Sequence, residues 1–282
     1  MGKWMRRLSL ASVLMVCLAQ AIAIAGESVG ASCDRRWEEL STRYVAKTAP
    51  SDYAGLLSAW KRLDRECKES PRYWARLGLI YFYLDQPRET KKAIASVRGR
   101  EAEPLIQLVD ILADIALLRN DGSARSKAEL ERLEYRLLDF AENNPRDPVG
   151  LSLLADVIGG LGRYDSAILL YQKVLEGIGK SARTSGVMRN LTIAYADAGR
   201  YQEAYDLAGE ALQLKRSDLT ADMYFMCAVA RSQASLGKID GAQNTLTLLA
   251  LKRPEVESDP HFKSAVAFVI EHAQSRTSPR AQ

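Results

Sequence analysis

A six-residue pattern recurs in the second half of the chain, and it limits the fold more than any other feature. Gly162-Arg163-Tyr164-Asp165-Ser166-Ala167 is matched by Gly199-Arg200-Tyr201-Gln202-Glu203-Ala204, and more loosely by Gly237-Lys238-Ile239-Asp240-Gly241-Ala242. The intervals are 37 and 38 residues. Each copy lies between stretches whose apolar residues recur every three or four positions, the spacing of one helix face. The unit is therefore a helix, a turn and a second helix. Gly suits the left-handed backbone of a tight helix end. The bulky residue covers the turn, and the small Ala lets the second helix approach the first. One such pair cannot bury both its faces, so copies must stack on their neighbours.

Helical periodicity extends over nearly the whole chain, and strand signals are nearly absent. Breakers divide it into helices near 33–47, 52–68, 71–84, 88–98, 102–119, 126–143, 147–161, 164–177, 185–198, 201–215, 219–236, 239–252 and 260–275. Ser51-Asp52 and Ser126 are good N-cap residues. Pro71, Pro148 and Pro260 stand at helix starts, where a missing N–H costs nothing. Residues 33–68 lack the repeat signature but form a helix pair of similar size, as a divergent cap would. The last helix places Phe262, Val266, Val269 and Ile270 on an otherwise polar background, as a C-terminal capping helix should.

An early segment carries the residues of a known family. Trp74-Ala75-Arg76-Leu77-Gly78-Leu79-Ile80-Tyr81 resembles the first-helix signature of tetratricopeptide repeats, with Trp, Leu-Gly and Tyr at the family's spacings. Leu151, Leu154-Ala155 and Ile158 echo it, as do Met188, Leu191-Thr192 and Tyr195, and Pro145 and Pro254 fall at ends of repeats. The resemblance implies an all-α fold: a right-handed α-solenoid of about six antiparallel helix pairs with a capping helix. It covers residues 33–275, most clearly 71–98 and 148–254. Three departures stand out. Asp85 and Thr90 occupy places where the family has Gly and Ala. Residues 119–126 make an enlarged turn. The intervals exceed the family's period of about 34 residues.

The N-terminus reads as an export signal. Lys3, Arg6 and Arg7 precede an apolar run from Leu8 to Ala25, which ends in Ala23-Ile24-Ala25. That is a signal peptide, residues 1–25, followed by a flexible leader at 26–32. An uncleaved membrane anchor is the competing reading, because a run of this length can just span a bilayer core. The polar stretch 276–282 reads as a disordered tail. The whole chain carries a net charge of +4, and losing Lys3, Arg6 and Arg7 lowers it to +1. No basic field remains to recruit nucleic acid. Export would place Cys33, Cys67 and Cys227 in an oxidising compartment. Cys33 opens the first expected helix and Cys67 closes the second. In an antiparallel hairpin those ends meet, so a Cys33–Cys67 disulfide is expected over two free thiols. Cys227 reads as a packed core thiol.

No pattern in the chain assembles catalytic chemistry. His261 and His272, the two histidines, stand about 16 Å apart on one helix, too far to share a metal. There is no Cys-x-x-Cys and no Gly-rich phosphate loop after a strand. No cofactor and no enzymatic activity are expected. By the family resemblance, the first helix of each pair lines a concave groove. The positions this carries over are Arg72, Phe82 and Tyr83; Ser152 and Asp156; Arg189 and Asp197; and Tyr224 and Arg231. The resemblance implies an interaction scaffold that holds a protein or peptide partner there, in the bacterial periplasm or cell envelope. A glycan or small molecule stacked on Phe82, Tyr83 and Tyr224 is the alternative ligand, and an inner-membrane anchor the alternative location.

Overall fold

The computed structural model describes residues 29–45, 50–97, 103–120, 127–181, 184–214 and 219–277. The expected signal segment 1–25, the Ser126 cap and residues 278–282 lie outside them. Every regular element among the described residues is helical. They form two compact units that divide between Leu153 and Leu154.

The first unit contains α1 (Val29–Val45), α2 (Pro50–Lys61), a single turn α3 (Asp64–Cys67), α4 (Pro71–Tyr83), α5 (Pro87–Ala95), α6 (Pro104–Asn120), α7 (Lys127–Asn143) and the start of α8 (Pro148–Gly160). Helix α1 begins at Val29, so part of the expected leader is helical. The single helix expected over 52–68 is broken in two. Trp60 is fully buried and its indole N–H donates to the Tyr73 carbonyl at 3.1 Å, while Cys67 is bonded to Cys33 across a Cα–Cα distance of 5.8 Å. A turn, closed by Leu63 N–H to Trp60 O at 3.0 Å, lets both constraints be met. The cap core is aromatic. Trp37 meets Trp60 edge-on at 5.1 Å, and Trp60 stacks on Tyr73 at 5.3 Å.

The second unit continues α8 and adds α9 (Tyr164–Ile178), α10 (Ser185–Asp197), α11 (Tyr201–Gln213), α12 (Met223–Ser235), α13 (Ile239–Lys252) and α14 (Pro260–Thr277). Two short 3₁₀ turns, Leu219–Ala221 and Pro254–Ser258, lie between them. The helix expected over 219–236 is therefore interrupted at Asp222. That residue has extended backbone, and its carboxylate accepts the Phe225 N–H at 2.9 Å, so it starts α12 anew as an N-cap. The three alanines of the repeated motif, Ala167, Ala204 and Ala242, are fully buried. The tail is shorter than expected, because α14 runs on to Thr277.

The turns between paired helices share one construction. Gly162, Gly199 and Gly237 have φ of 83°, 76° and 78°. The next residue in each case reaches back five positions: Arg163 to Ile158 O (3.1 Å), Arg200 to Tyr195 O (2.8 Å) and Lys238 to Gln233 O (2.8 Å). That is the long hydrogen bond of a Schellman cap. The turn from α4 to α5 is built alike. Asp85 takes φ 56° and Gln86 N–H reaches Tyr81 O at 2.9 Å. Asp tolerates the left-handed region better than most side chains. Thr90, the other departure, is also accommodated: its buried hydroxyl donates to the Gly78 carbonyl at 3.1 Å. A Cβ on Gly78 would come within 3.1 Å of Val109, so Gly lets α4 lie close to α6.

Candidate interaction surface

The first helices of the second unit are buried on nearly every side. All residues of α10 from Ser185 to Ala196 are buried, and so are those of α12 from Met223 to Ala230. Polar side chains in such places need partners, and they find them across successive repeats. Tyr171 O–H donates to Asp156 Oδ1, which also accepts from Asn190 Nδ2 at 2.9 Å. Asn190 Oδ1 accepts from Arg189 Nη1, and Arg189 Nε donates to Asp222 Oδ2 at 2.7 Å. Farther along the same helices, Arg231 Nη2 donates to Asp197 at 2.6 Å. These links join residues 33 or 34 apart in sequence. That is about one helical turn short of the repeat interval, so each first helix meets the next with a one-turn offset.

The electrostatics follow from burial. Asp156 and Arg189 are 4% and 3% exposed. Desolvation pushes the Asp156 carboxyl up to about 7, against the opposing pull of Tyr171, Arg189 and Asn190. The Tyr171 phenol is pushed well above its ordinary range, first by burial and then by Asp156. Asp222 works at two places, with Oδ1 capping α12 and Oδ2 holding Arg189.

The first unit has its own ion pairs. Asp34 on α1 meets Arg72 at 2.8 Å and Arg76 at 2.5 Å, and Arg72 also reaches Glu103 at 3.7 Å. Arg76 is fully buried with its guanidinium over the rings of Trp37 and Trp60, and desolvation lowers its pKa. Asp110 and Asp114 on α6 are clamped between Lys91 of α5 and Arg136 of α7.

The nine candidate groove residues thus fall into distinct settings. Asp156, Arg189, Asp197 and Arg231 belong to the inter-repeat links, and Arg72 to the Asp34 pair. Ser152 donates to Pro148 O at 2.6 Å within α8. Phe82 is buried edge-on to Tyr83, and Tyr83 tilts over Tyr53 at 5.0 Å. Tyr224 is buried with its ring 4.9 Å from His261. The Arg231 Nε–H is buried and has no hydrogen-bond partner among the described residues. Sequence reasoning passed over Tyr171, Asp222 and Asp34. Nothing in the sequence marked Asp222 as the partner of Arg189, because the one-turn offset that joins them is set by the stacked helices. Among the described residues, no three His, Cys, Asp or Glu side chains gather where they could hold a metal ion. No helix among them is long and apolar enough to cross a membrane. The expected Cys33–Cys67 pair is bonded, and Cys227 is a buried free thiol.

Neither a protein-family model nor a curated protein sequence matches the chain. Solved structures do. A thermophilic tetratricopeptide repeat protein of Thermus thermophilus aligns with a TM-score of 0.55 and 22% identity, over 68% of this chain and 98% of that one. A chain of the APC/C hetero-tetramer Cut9–Hcn1 aligns with a TM-score of 0.64 and 14% identity, over 92% of this chain but 46% of that longer one. These likenesses, with the repeated helix pairs and their common cap, make the chain a tetratricopeptide-like repeat protein in fold.

Proposed function

We propose that the protein is a non-catalytic scaffold that binds an extended segment of a partner protein along its first helices, where the second unit exposes parts of Arg231 and Asp197. The observation that carries this reading is the Arg231–Asp197 ion pair, which stays partly open to solvent on first helices where other polar side chains, such as Asp156 and Arg189, are buried. The guanidinium has donors beyond the one given to Asp197, and a partner's backbone carbonyl or carboxylate would accept from those at the surface. The wholly buried Asp156 and Arg189 play a different part in this reading. They fix the offset between repeats and hold the surface in shape. The glycan alternative gains nothing from Phe82 and Tyr224, whose rings are buried.

The place of action is the periplasm or cell envelope, with an inner-membrane anchor as the alternative. Two observations support export: the basic, apolar and small-residue order of residues 1–25, and a disulfide in the N-terminal cap. Intact-mass measurement of the protein from the envelope fraction tests it, and export with cleavage leaves a chain that begins near Gly26.

The binding test uses Arg231→Lys, which keeps the charge beside Asp197 and removes the planar guanidinium with its further donors. Quantitative pulldown from envelope extract should recover less of the partner with the variant, at an unchanged melting temperature. Equal recovery by both proteins would show that Arg231 is not a contact.

A further inference from the structure

The second unit carries an open apolar groove between α13 and α14, with a volume of about 600 Å³. Leu246, Leu251, Phe262, Val266 and Ile270 line it. Leu251 is 76% exposed and Ile270 48%. Earlier first helices of this unit each pack against an antiparallel second helix, α10 with α11 and α12 with α13. Helix α14 lies against α12 and α13 like a further first helix, and the groove is where its second helix would seat.

The open face of α14 is self-complementary. Its exposed residues include Lys263, Ser264, Ala267, Ile270, Glu271 and Gln274, three or four apart, so they form one stripe. Lys263 stands four residues before Ala267 and Glu271 four after it. Neither side chain pairs with another charged group among the described residues. We propose that α14 docks against α14 of a second copy of this chain, antiparallel, about a two-fold axis through Ala267. Residues equally far from the axis then face each other. Lys263 of each copy meets Glu271 of the other, and Ile270 of each meets the small Ser264. Ala267 on the axis lets the backbones approach. A parallel pairing would set Lys263 against Lys263 and Glu271 against Glu271. The antiparallel polarity is also the one a second helix has within every repeat, and Ile270, which lines the groove, stands at the edge of the paired stripes. A two-fold interface requires this kind of self-complementary patch.

Charge reversal tests the pairing. The full chain is examined by sedimentation velocity beside Lys263→Glu, Glu271→Lys and the double variant, with helix content and melting followed by circular dichroism. The wild type is expected to be a dimer. Each single reversal turns two ion pairs into two like-charge contacts and should weaken association on the order of tenfold. The double variant restores both pairs and the dimer. An equimolar mixture of the two single variants should form the heterodimer, since their charges again match across the axis. A wild type that stays monomeric at about 100 μM overturns the proposal, as does a dimer indifferent to single reversal. Failure of the well-folded double variant to reassociate, or a monomer that takes up a peptide helix in the groove, also overturns it.

Discussion

Removing the Cys33–Cys67 bridge should loosen the N-terminal cap by an amount that the loop length sets. The bonded residues are 34 apart in sequence. Closing a loop of that size removes about 12–13 cal/mol/K from the unfolded chain in the entropic account, or about 4 kcal/mol at 25 °C. Cys33→Ala with Cys67→Ala is the suitable perturbation, since alanine buries no new polar group where the sulfurs were. Urea unfolding followed by tryptophan fluorescence reads the effect locally. Trp37, Trp60 and Trp74 all lie in the first unit, and the second unit has no tryptophan. The fluorescence transition should move to lower urea by about 4 kcal/mol, while circular dichroism from the second unit moves much less, because stability in stacked repeats is carried by nearest neighbours. A shift below about 1 kcal/mol, or an equal shift in both signals, would refute the reasoning. Both sulfurs are also buried. Reduction of the native protein should therefore wait on opening of the cap and accelerate in mild urea. Reduction as fast in the native protein as in the unfolded chain would contradict that burial.

Four further outcomes follow from single positions. The raised Asp156 carboxyl, near 7 in the fold against an ordinary value of 3.8, holds a proton that the unfolded chain has already released between those limits. Stability from this group is therefore full below about pH 4 and is lost as pH rises through 7, at roughly 1.4 kcal/mol per pH unit. Asp156→Asn should flatten that slope in denaturation measured from pH 4 to 8, and an unchanged slope would assign it to other groups. At Gly150 a Cβ would come within 2.4 Å of the Phe140 ring, so Gly150→Ala should cost about 1–3 kcal/mol. At Gly209, exposed within α11, a Cβ meets nothing within 4 Å, so Gly209→Ala should gain about 0.5–1 kcal/mol; melting temperatures that move the same way in both variants would contradict the geometry. Asp85→Gly relieves the left-handed strain and should raise the melting temperature by the equivalent of about 0.5–1 kcal/mol. A decrease there would mean that the Asp85 side chain contributes more than its backbone costs.

The repeated helix pair was legible in the sequence, for local reasons. A glycine at a left-handed helix end, a proline at a helix start and an alanine under the turn each act within a few residues. Their spacing therefore shows in one dimension, and helix existence followed from it nearly everywhere. The expected pairing of Cys33 with Cys67 rested on the same kind of reasoning, since a hairpin returns the chain to its start. Two breaks were not legible. The chain turns at Leu63 because Trp60 and Cys67 have separate distant partners, and α12 restarts at Asp222 because that carboxylate serves both as a cap and as the seat of Arg189.

The candidate surface divides in the same way. The family resemblance carried over nine positions, Asp156, Arg189, Asp197 and Arg231 among them, and these four stand on first helices. What each does there depends on how far one first helix is shifted against the next. The one-turn offset turns Asp156 and Arg189 inward to answer Asn190 and Asp222, and it leaves Arg231 with one hydrogen bond to Asp197 and one donor unmet. Helical periodicity describes one helix at a time, and a sequence sets it through neighbours three and four residues away. The offset between helices comes from the fit of side chains some 34 residues apart, and that fit exists only once the repeats have stacked.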